Sequence, residues 1–253
     1  MEMGTLLVKT GRRAAGVLLD QLYPPVCLVC DAPVGSADAL CVACFRKLRP
    51  ITAPLCPVLG LPFAVSLGPE ARSAEALADP PPFERARSAV VYNEVARALV
   101  GRLKYGDKPE LVRFCARLMA QAGAELWGGD AVLVPVPLHR LRQLSRRYNQ
   151  STELARALGR LTGLPVDPGL VIRRKNTRQQ VGLSGEARRR NLAGAFAERP
   201  GMLPRLGGRR AIIVDDVITT GATVRAVTRV LQAAGAAHVD VVSFARVVVG
   251  TDA

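Results

Sequence analysis

Aromatic side chains make up only 4% of this 253-residue chain, and tryptophan occurs once. Stacked rings therefore cannot carry the interior. The core must be built from Val, Leu, Ile and Ala, the composition of parallel sheets covered by helices. Long apolar runs are missing too: no uninterrupted stretch approaches the roughly 20 residues that cross a bilayer, which excludes a helix spanning a membrane. The opening segment MEMGTLLVKTGRRAAGVLLDQL carries Arg12 and Arg13 ahead of an apolar stretch that Asp20 already ends, a poor match to a secretory signal. Leu6, Leu7, Ala14, Val17, Leu18 and Leu22 recur at roughly helical spacing and predict a short amphipathic helix instead. The expected location is the cytoplasm.

Acids are scarce where bases are dense. From His139 to Arg190, 13 Lys or Arg face only Glu153, Asp167 and Glu186, in a chain of formal charge +14. Such a field draws polyanions in general, phosphorylated metabolites as well as RNA and DNA, and does not separate them. What the chain has in quantity is apolar residues, 49% of the total. That is enough for one large domain, or for one ordinary domain with a small module.

Four of the six cysteines fall in CLVCDAPVGSADALCVAC, as Cys27, Cys30, Cys41 and Cys44. In a cytoplasmic chain two C-x-x-C knuckles favour a metal over disulfides. Two thiolates spaced by two residues in a tight turn can face one ion, and two such knuckles complete a closed tetrahedral shell for structural zinc. Cys56 in APLCPVLGLP starts another knuckle, but Leu59 stands where its second cysteine would be. One zinc per chain is expected. Cys115, on a helical stretch, reads as a small buried hydrophobe.

Residues 64–82, AVSLGPEARSAEALADPPP, mix small, polar and proline residues without a stable period and read as a linker. The organisation expected is an N-terminal helix and ribbon over 1–63, the linker, and a larger domain over 83–253. In that domain strand and helix patterns alternate. Strands are expected at ARSAVVY, AVLVPVP, GLVIRR, RRAIIVDD and HVDVVSFARVV. Helices are expected at 93–106, 109–126, 148–161, 184–196 (running into an extended piece) and 221–236. This order predicts an α/β fold, a parallel sheet flanked by helices, with ligands at the carboxyl ends of the strands.

AIIVDDVITTGAT, residues 211–223, sits at such an end. The apolar run suits a strand buried on both faces, and Asp215 and Asp216 close it. Val217, Thr219, Thr220, Gly221, Ala222 and Thr223 lead into the next helix. A phosphate there would meet free backbone N–H groups, hydroxyl donors and the positive end of the helix dipole. The acids cannot take phosphate, but they can accept hydrogen bonds from vicinal sugar hydroxyls, and Mg²⁺ on a neighbouring diphosphate would reduce the repulsion. A ribose 5-phosphate bearing a 1-diphosphate combines these features.

The stretch resembles the phosphoribosyl diphosphate (PRPP) motif of type I phosphoribosyltransferases, in which two acids hold the ribose hydroxyls and a T-T/S-G-x-T loop holds the 5-phosphate. A wider resemblance, to the ComF family of competence-associated proteins, covers nearly the whole chain. It rests on LYPPVC, LKYGD, VPVPLHRLRQLSRRYNQS, RRKNTRQQVGLSGEARRRNLAGAF and the PRPP motif, in that order. The chain departs from that pattern at Arg147, where glycine is frequent, and at Leu59. The resemblance implies a type I phosphoribosyltransferase-like domain behind a zinc ribbon, with Mg²⁺ bound alongside PRPP and the acid pair at the reacting sugar.

It also implies a diphosphate loop after VPVP, where Leu138, His139 and Arg140 can donate and the prolines cannot. His139 reads equally as a surface histidine, and His238 as structural. Lys104 and Tyr105 become candidates for the ligand rim. The donor-rich 173–191 segment reads either as a loop closing over ligand or as a nucleic-acid contact through Arg188, Arg189 and Arg190. Its lack of aromatics favours phosphate contacts over base stacking. Two functions follow: transfer of a phosphoribosyl group to an unidentified acceptor, or nonenzymatic binding of single-stranded DNA or of recombination or helicase proteins during DNA uptake and natural transformation.

Overall fold

The computed structural model describes residues 24–105, 108–138, 148–174, 194–199 and 206–248. Their contacts group the chain into two compact units, 1–47 and 48–253.

In the first unit the described chain is a knuckle followed by a short helix. An antiparallel bridge joins Val26 and Pro33, and helix α1 spans Val42–Lys47. The expected N-terminal helix over Leu6–Leu22 lies outside the described residues.

The second unit is built on four parallel strands: β1 (Arg85–Val91), β2 (Ala131–Pro135), β5 (Arg210–Ile218) and β6 (Val239–Arg246), in the spatial order β1-β6-β5-β2. Registers such as Ile213 against Val241 and Val134 bring all four carboxyl ends to one edge. The expected strand GLVIRR does not join this sheet. It shrinks to β3 (Val171–Arg173), which pairs antiparallel with β4 (Phe196–Glu198) in a separate hairpin. On the edge of β2, Leu133 pairs in parallel with Val166 instead.

Helix α2 (Ala74–Ala78) lies within the stretch read as a linker, capped by the Ser73 side chain. Helices α3 (Glu94–Tyr105) and α4 (Pro109–Ala122) connect β1 to β2. The pattern expected to run to 126 stops at Gly123, and a single 3₁₀ turn covers Ala124–Leu126. A side chain at Gly123 would stand 2.5 Å from the Trp127 ring. Helix α5 (Gln150–Thr162) starts at the Asn149 cap and ends at Gly163 in the left-handed conformation, and α6 is Ala222–Ala233. The helix expected over 184–196 is outside the described residues apart from its extended end, which is β4.

Alternation along the strands separates two apolar layers. Val132, Val134, Val136, Ala211, Ile213, Val239 and Val241 share a core with Val224, Val227 and Leu231 of α6 and with Leu170, Val171 and Phe196 at the hairpin. Between them Leu133, Ile212, Val214, Val242 and Phe244 are fully buried on the other side, where α4 and α5 meet the strands. The helix after β2 therefore covers one face and the helix after β5 the other. Adjacent strands whose connections leave to opposite faces are where parallel sheets hold ligands.

Polar pairs brace the sheet. Ser88 and Ser243 share a 2.7 Å hydrogen bond between β1 and β6, and buried Asp240 accepts two from Arg85 at 3.1 and 3.0 Å. Cys115 is fully buried, and His238 pairs with Glu84 at the amino end of the sheet, far along the strand from the carboxyl rim.

Candidate functional site

The four front cysteines converge. Their Sγ atoms all lie within 4.8 Å of one another, and Cys30 and Cys41 are 3.6 Å apart. A tetrahedral zinc with bonds of about 2.3 Å separates its sulfurs by roughly 3.8 Å, so the cluster fits that ion with little adjustment. Its electrostatics favour the same conclusion. Burial pushes the Cys27 thiol up, yet backbone N–H groups of Cys30, Cys41 and Val29 outweigh it and bring the group down to about 6, while burial and its thiol neighbours push Cys44 up. A dication among the four sulfurs would supply the positive charge that thiolate ligands need. All four positions are taken by protein sulfur, which leaves no open coordination site and makes the role structural.

The second centre forms at the carboxyl rim of β5. Asp215 Oδ1 accepts from the Asp216 N–H at 2.9 Å, and Asp216 Oδ1 accepts from the Val217 N–H at 2.9 Å, so each acid is oriented by the peptide that follows it. Asp215 is 8% exposed. Burial holds its carboxyl well above the usual range, with the Asp216 charge adding to the effect. The Ser151 hydroxyl, in the first turn of α5, donates to Asp215 Oδ1 at 3.3 Å. From the other flank Lys104 Nζ approaches Asp216 Oδ2 at 3.8 Å.

The loop after the acids is short and open. Thr219 and Thr220 are exposed, Thr223 is half-buried and Ala222 is buried under the helix start. Gly221 caps α6 with φ +71°, a left-handed conformation that glycine adopts without strain. The first helical bond runs from the Arg225 N–H to the Gly221 carbonyl at 2.9 Å, so the N–H groups of Ala222, Thr223 and Val224 precede the ladder. The sheet, the acid pair and this helix start share one rim.

Leu138 lies half-buried just beyond β2. The two ends of the connection that it opens are tied together by Asn149, whose Nδ2 donates to the Val136 carbonyl at 2.9 Å while its Oδ1 accepts the Ser151 N–H at 3.1 Å. Tyr105 is the last residue of α3. His139, Arg140, Arg188, Arg189 and Arg190 are outside the described residues.

Four residues at the rim had no role assigned from sequence. Ser151 and Asn149 belong to YNQS, and an Asn ahead of a helical pattern is a capping signal that would have placed them at a helix start. Gln150 beside them is 3% exposed and its Nε2 has no hydrogen-bond partner among the described residues. Tyr92, just past β1, is pushed up mainly by burial and in part by the Asp216 charge; no local motif marks it.

This geometry can be set against known proteins. Residues 18–77 match the double zinc ribbon domain, and residues 101–252 match the phosphoribosyl transferase domain. The chain is thus a phosphoribosyltransferase-fold protein preceded by a ribbon. It is 35% identical over 225 residues to the DNA utilization protein YhgH of Salmonella typhimurium, covering 86% of this chain and 95% of that one. It is 36% identical over 163 residues to competence protein F of Haemophilus influenzae, covering 61% and 69%. With competence protein ComFC of Bacillus subtilis it shares 26% over 233 residues, covering 85% and 92%. The chain belongs to the ComF family.

Proposed function

We propose that this chain is a cytoplasmic protein that binds PRPP with Mg²⁺ and acts in DNA uptake and utilisation. The observation that carries the ligand is the acid pair of β5 opening directly onto the glycine-led start of α6. Asp215 and Asp216 accept hydrogen bonds from the ribose hydroxyls. Thr219, Thr220 and Thr223, with the N–H groups at the start of α6, take the 5-phosphate. Lys104 supplies a cation beside Asp216 that limits repulsion between acids and phosphates. Leu138, His139 and Arg140 serve the diphosphate.

Mg²⁺ would be held by diphosphate oxygens with these carboxylates nearby, and it supplies charge neutralisation of the leaving group. The donor set agrees: two carboxylates on one rim are too few for an all-protein Mg²⁺ cage, which suits an ion that arrives on a phosphate ligand. Ser151 fixes the Asp215 carboxylate, so that its lone pairs meet the sugar in one orientation. A transfer reaction would break the bond from C1 to the diphosphate oxygen and form a bond to an acceptor nitrogen.

Titration of PRPP with and without Mg²⁺, on the wild type and on the Asp215→Asn, Asp216→Asn double variant, tests the reading. Mg²⁺-dependent binding that the double variant loses is expected. No binding to the wild type would overturn it. Diphosphate release with a panel of nucleobases and amines then separates an enzyme from a PRPP-responsive adaptor.

The names of the relatives support the second part, since DNA utilization and competence are what those proteins are called after. An adaptor for single-stranded DNA, or for recombination or helicase proteins, would use the basic segment. It would keep salt-sensitive DNA affinity in the double Asn variant and lose it when Arg188, Arg189 and Arg190 are replaced.

A further inference from the structure

Two stretches of the chain repeat each other bond for bond. PVCLVCDAPV (25–34) aligns without gaps on PLCPVLGLPF (54–63). Val26 bridges Pro33, and Leu55 bridges Pro62, both antiparallel. The Cys27 N–H donates to the Ala32 carbonyl at 2.7 Å, and the Cys56 N–H to that of Leu61 at 2.8 Å. Val34 closes on Pro25 at 2.9 Å, and Phe63 on Pro54 at 2.8 Å. Asp31 and Gly60 hold the same turn position with φ 59° and 63°.

The repeat extends into the next helix. In the first copy the Cys44 N–H donates to Cys41 Sγ at 3.5 Å at the head of α1; in the second the Ala76 N–H donates to Ser73 Oγ at 3.3 Å at the head of α2. The ligand positions Cys27, Cys30, Cys41 and Cys44 thus correspond to Cys56, Leu59, Ser73 and Ala76.

Only Cys56 keeps a thiol. Leu59 and Ala76, each 2% exposed, are buried in one apolar core with it. Cys56 Sγ accepts from the Leu59 N–H, the Ser73 N–H and the Ser73 hydroxyl, each at 3.4 Å, the donor pattern of a metal knuckle without a second thiolate. Burial pushes this thiol up, and these donors together bring it below its ordinary value. Helix α2 is fastened by ions instead. Buried Arg246 at the end of β6 reaches Glu75 at 3.3 Å, and Arg225 in the first turn of α6 reaches Asp79 at 3.4 Å and its carbonyl at 2.6 Å. Arg225 belongs to the helix that follows Gly221, and Arg246 to the strand that pairs with the end of β5 at Ile218.

We infer that residues 54–78 are a second zinc ribbon that has given up its metal, with Leu59 and Ala76 filling the place of two ligands and Ser73 that of a third. One thiol and one hydroxyl do not make a zinc site, which needs four strong donors. The backbone that would present those donors is nevertheless still in place. The site is therefore a latent one for a thiophilic divalent ion, reopened by Leu59→Cys, Ser73→Cys and Ala76→Cys together.

Zinc content per full-length chain, measured by plasma mass spectrometry after purification with zinc, tests this inference. The expected values are one for the wild type, one for Cys56→Ser and two for the triple variant. Two zincs in the wild type, or loss of a zinc on Cys56→Ser, would overturn it. So would a triple variant that melts cooperatively yet stays at one. Should the triple variant not fold, the comparison of wild type with Cys56→Ser decides. The PRPP reading is independent of these counts.

Discussion

Asp215 is held in a position that a charged carboxylate does not favour. Burial and the neighbouring Asp216 charge raise its proton affinity above that of an unfolded aspartate, while Ser151 and the Asp216 N–H oppose the shift without cancelling it. The folded pKa exceeds the unfolded one, so this group contributes stability when protonated in acid and loses that contribution as pH rises through the raised value. Asp215→Asn keeps an oxygen for Ser151 and for the Asp216 N–H but carries no charge. Its melting temperature at neutral pH is expected to exceed that of the wild type and to fall less as pH rises above the ordinary aspartate range, while Mg²⁺-dependent PRPP binding is lost. A variant that melts lower than the wild type at neutral pH would show that the carboxylate is stabilised in the fold. The acid pair itself was legible from its place after an apolar run. Tyr92 was not, and neither was the reach of Ser151 to Asp215, because a contact from another element leaves no local pattern.

At the scale of elements, two glycines at nearly the same φ do different work. Gly221 starts α6 at φ +71°, and a Cβ built there meets nothing closer than Arg225 Nε at 3.8 Å. Gly221→Ala therefore costs only the left-handed backbone, roughly 1–2 kcal/mol. The variant is expected to fold and to melt a few degrees lower than the wild type. Gly60 is tighter: at φ +63° its Cβ would stand 2.3 Å from the Ala86 carbonyl oxygen, a backbone atom of β1. Strain and collision add, so Gly60→Ala is expected to destabilise by more than Gly221→Ala in denaturant titrations. Asp31, at the equivalent exposed turn of the first copy, should accept glycine with little change. The sheet strands were readable because continuous apolar runs mark strands covered on both faces. The hairpin at 171–173 was misread for the same reason: LVI is an equally apolar run, and only its partner, β4, shows that it left the sheet. Helix ends shifted where a side chain decided them, as with Trp127 against Gly123.

At the scale of the molecule the compact division falls after Lys47, ahead of the stretch that composition marks as a linker. What joins 49–63 to the larger unit is pairing across distance, which composition does not register: the Ile51 N–H to the Ala89 carbonyl, Val91 to Arg49 and Ala86 to Val58. The metal cluster is entirely within the first unit, and of that unit's described residues only Cys27, Leu28 and Cys44 are buried. So small a core depends on its metal for order. The second unit has two apolar layers of its own and no full set of cysteine ligands among its described residues. Chelation of zinc in the intact chain is therefore expected to abolish hydrogen-exchange protection over 24–47 while the four parallel strands, and the Cys56 knuckle with them, stay protected. Loss of protection in β5 and β6 on chelation would mean that the metal organises the phosphoribosyltransferase fold as well, and with it the rim that holds Asp215 and Asp216.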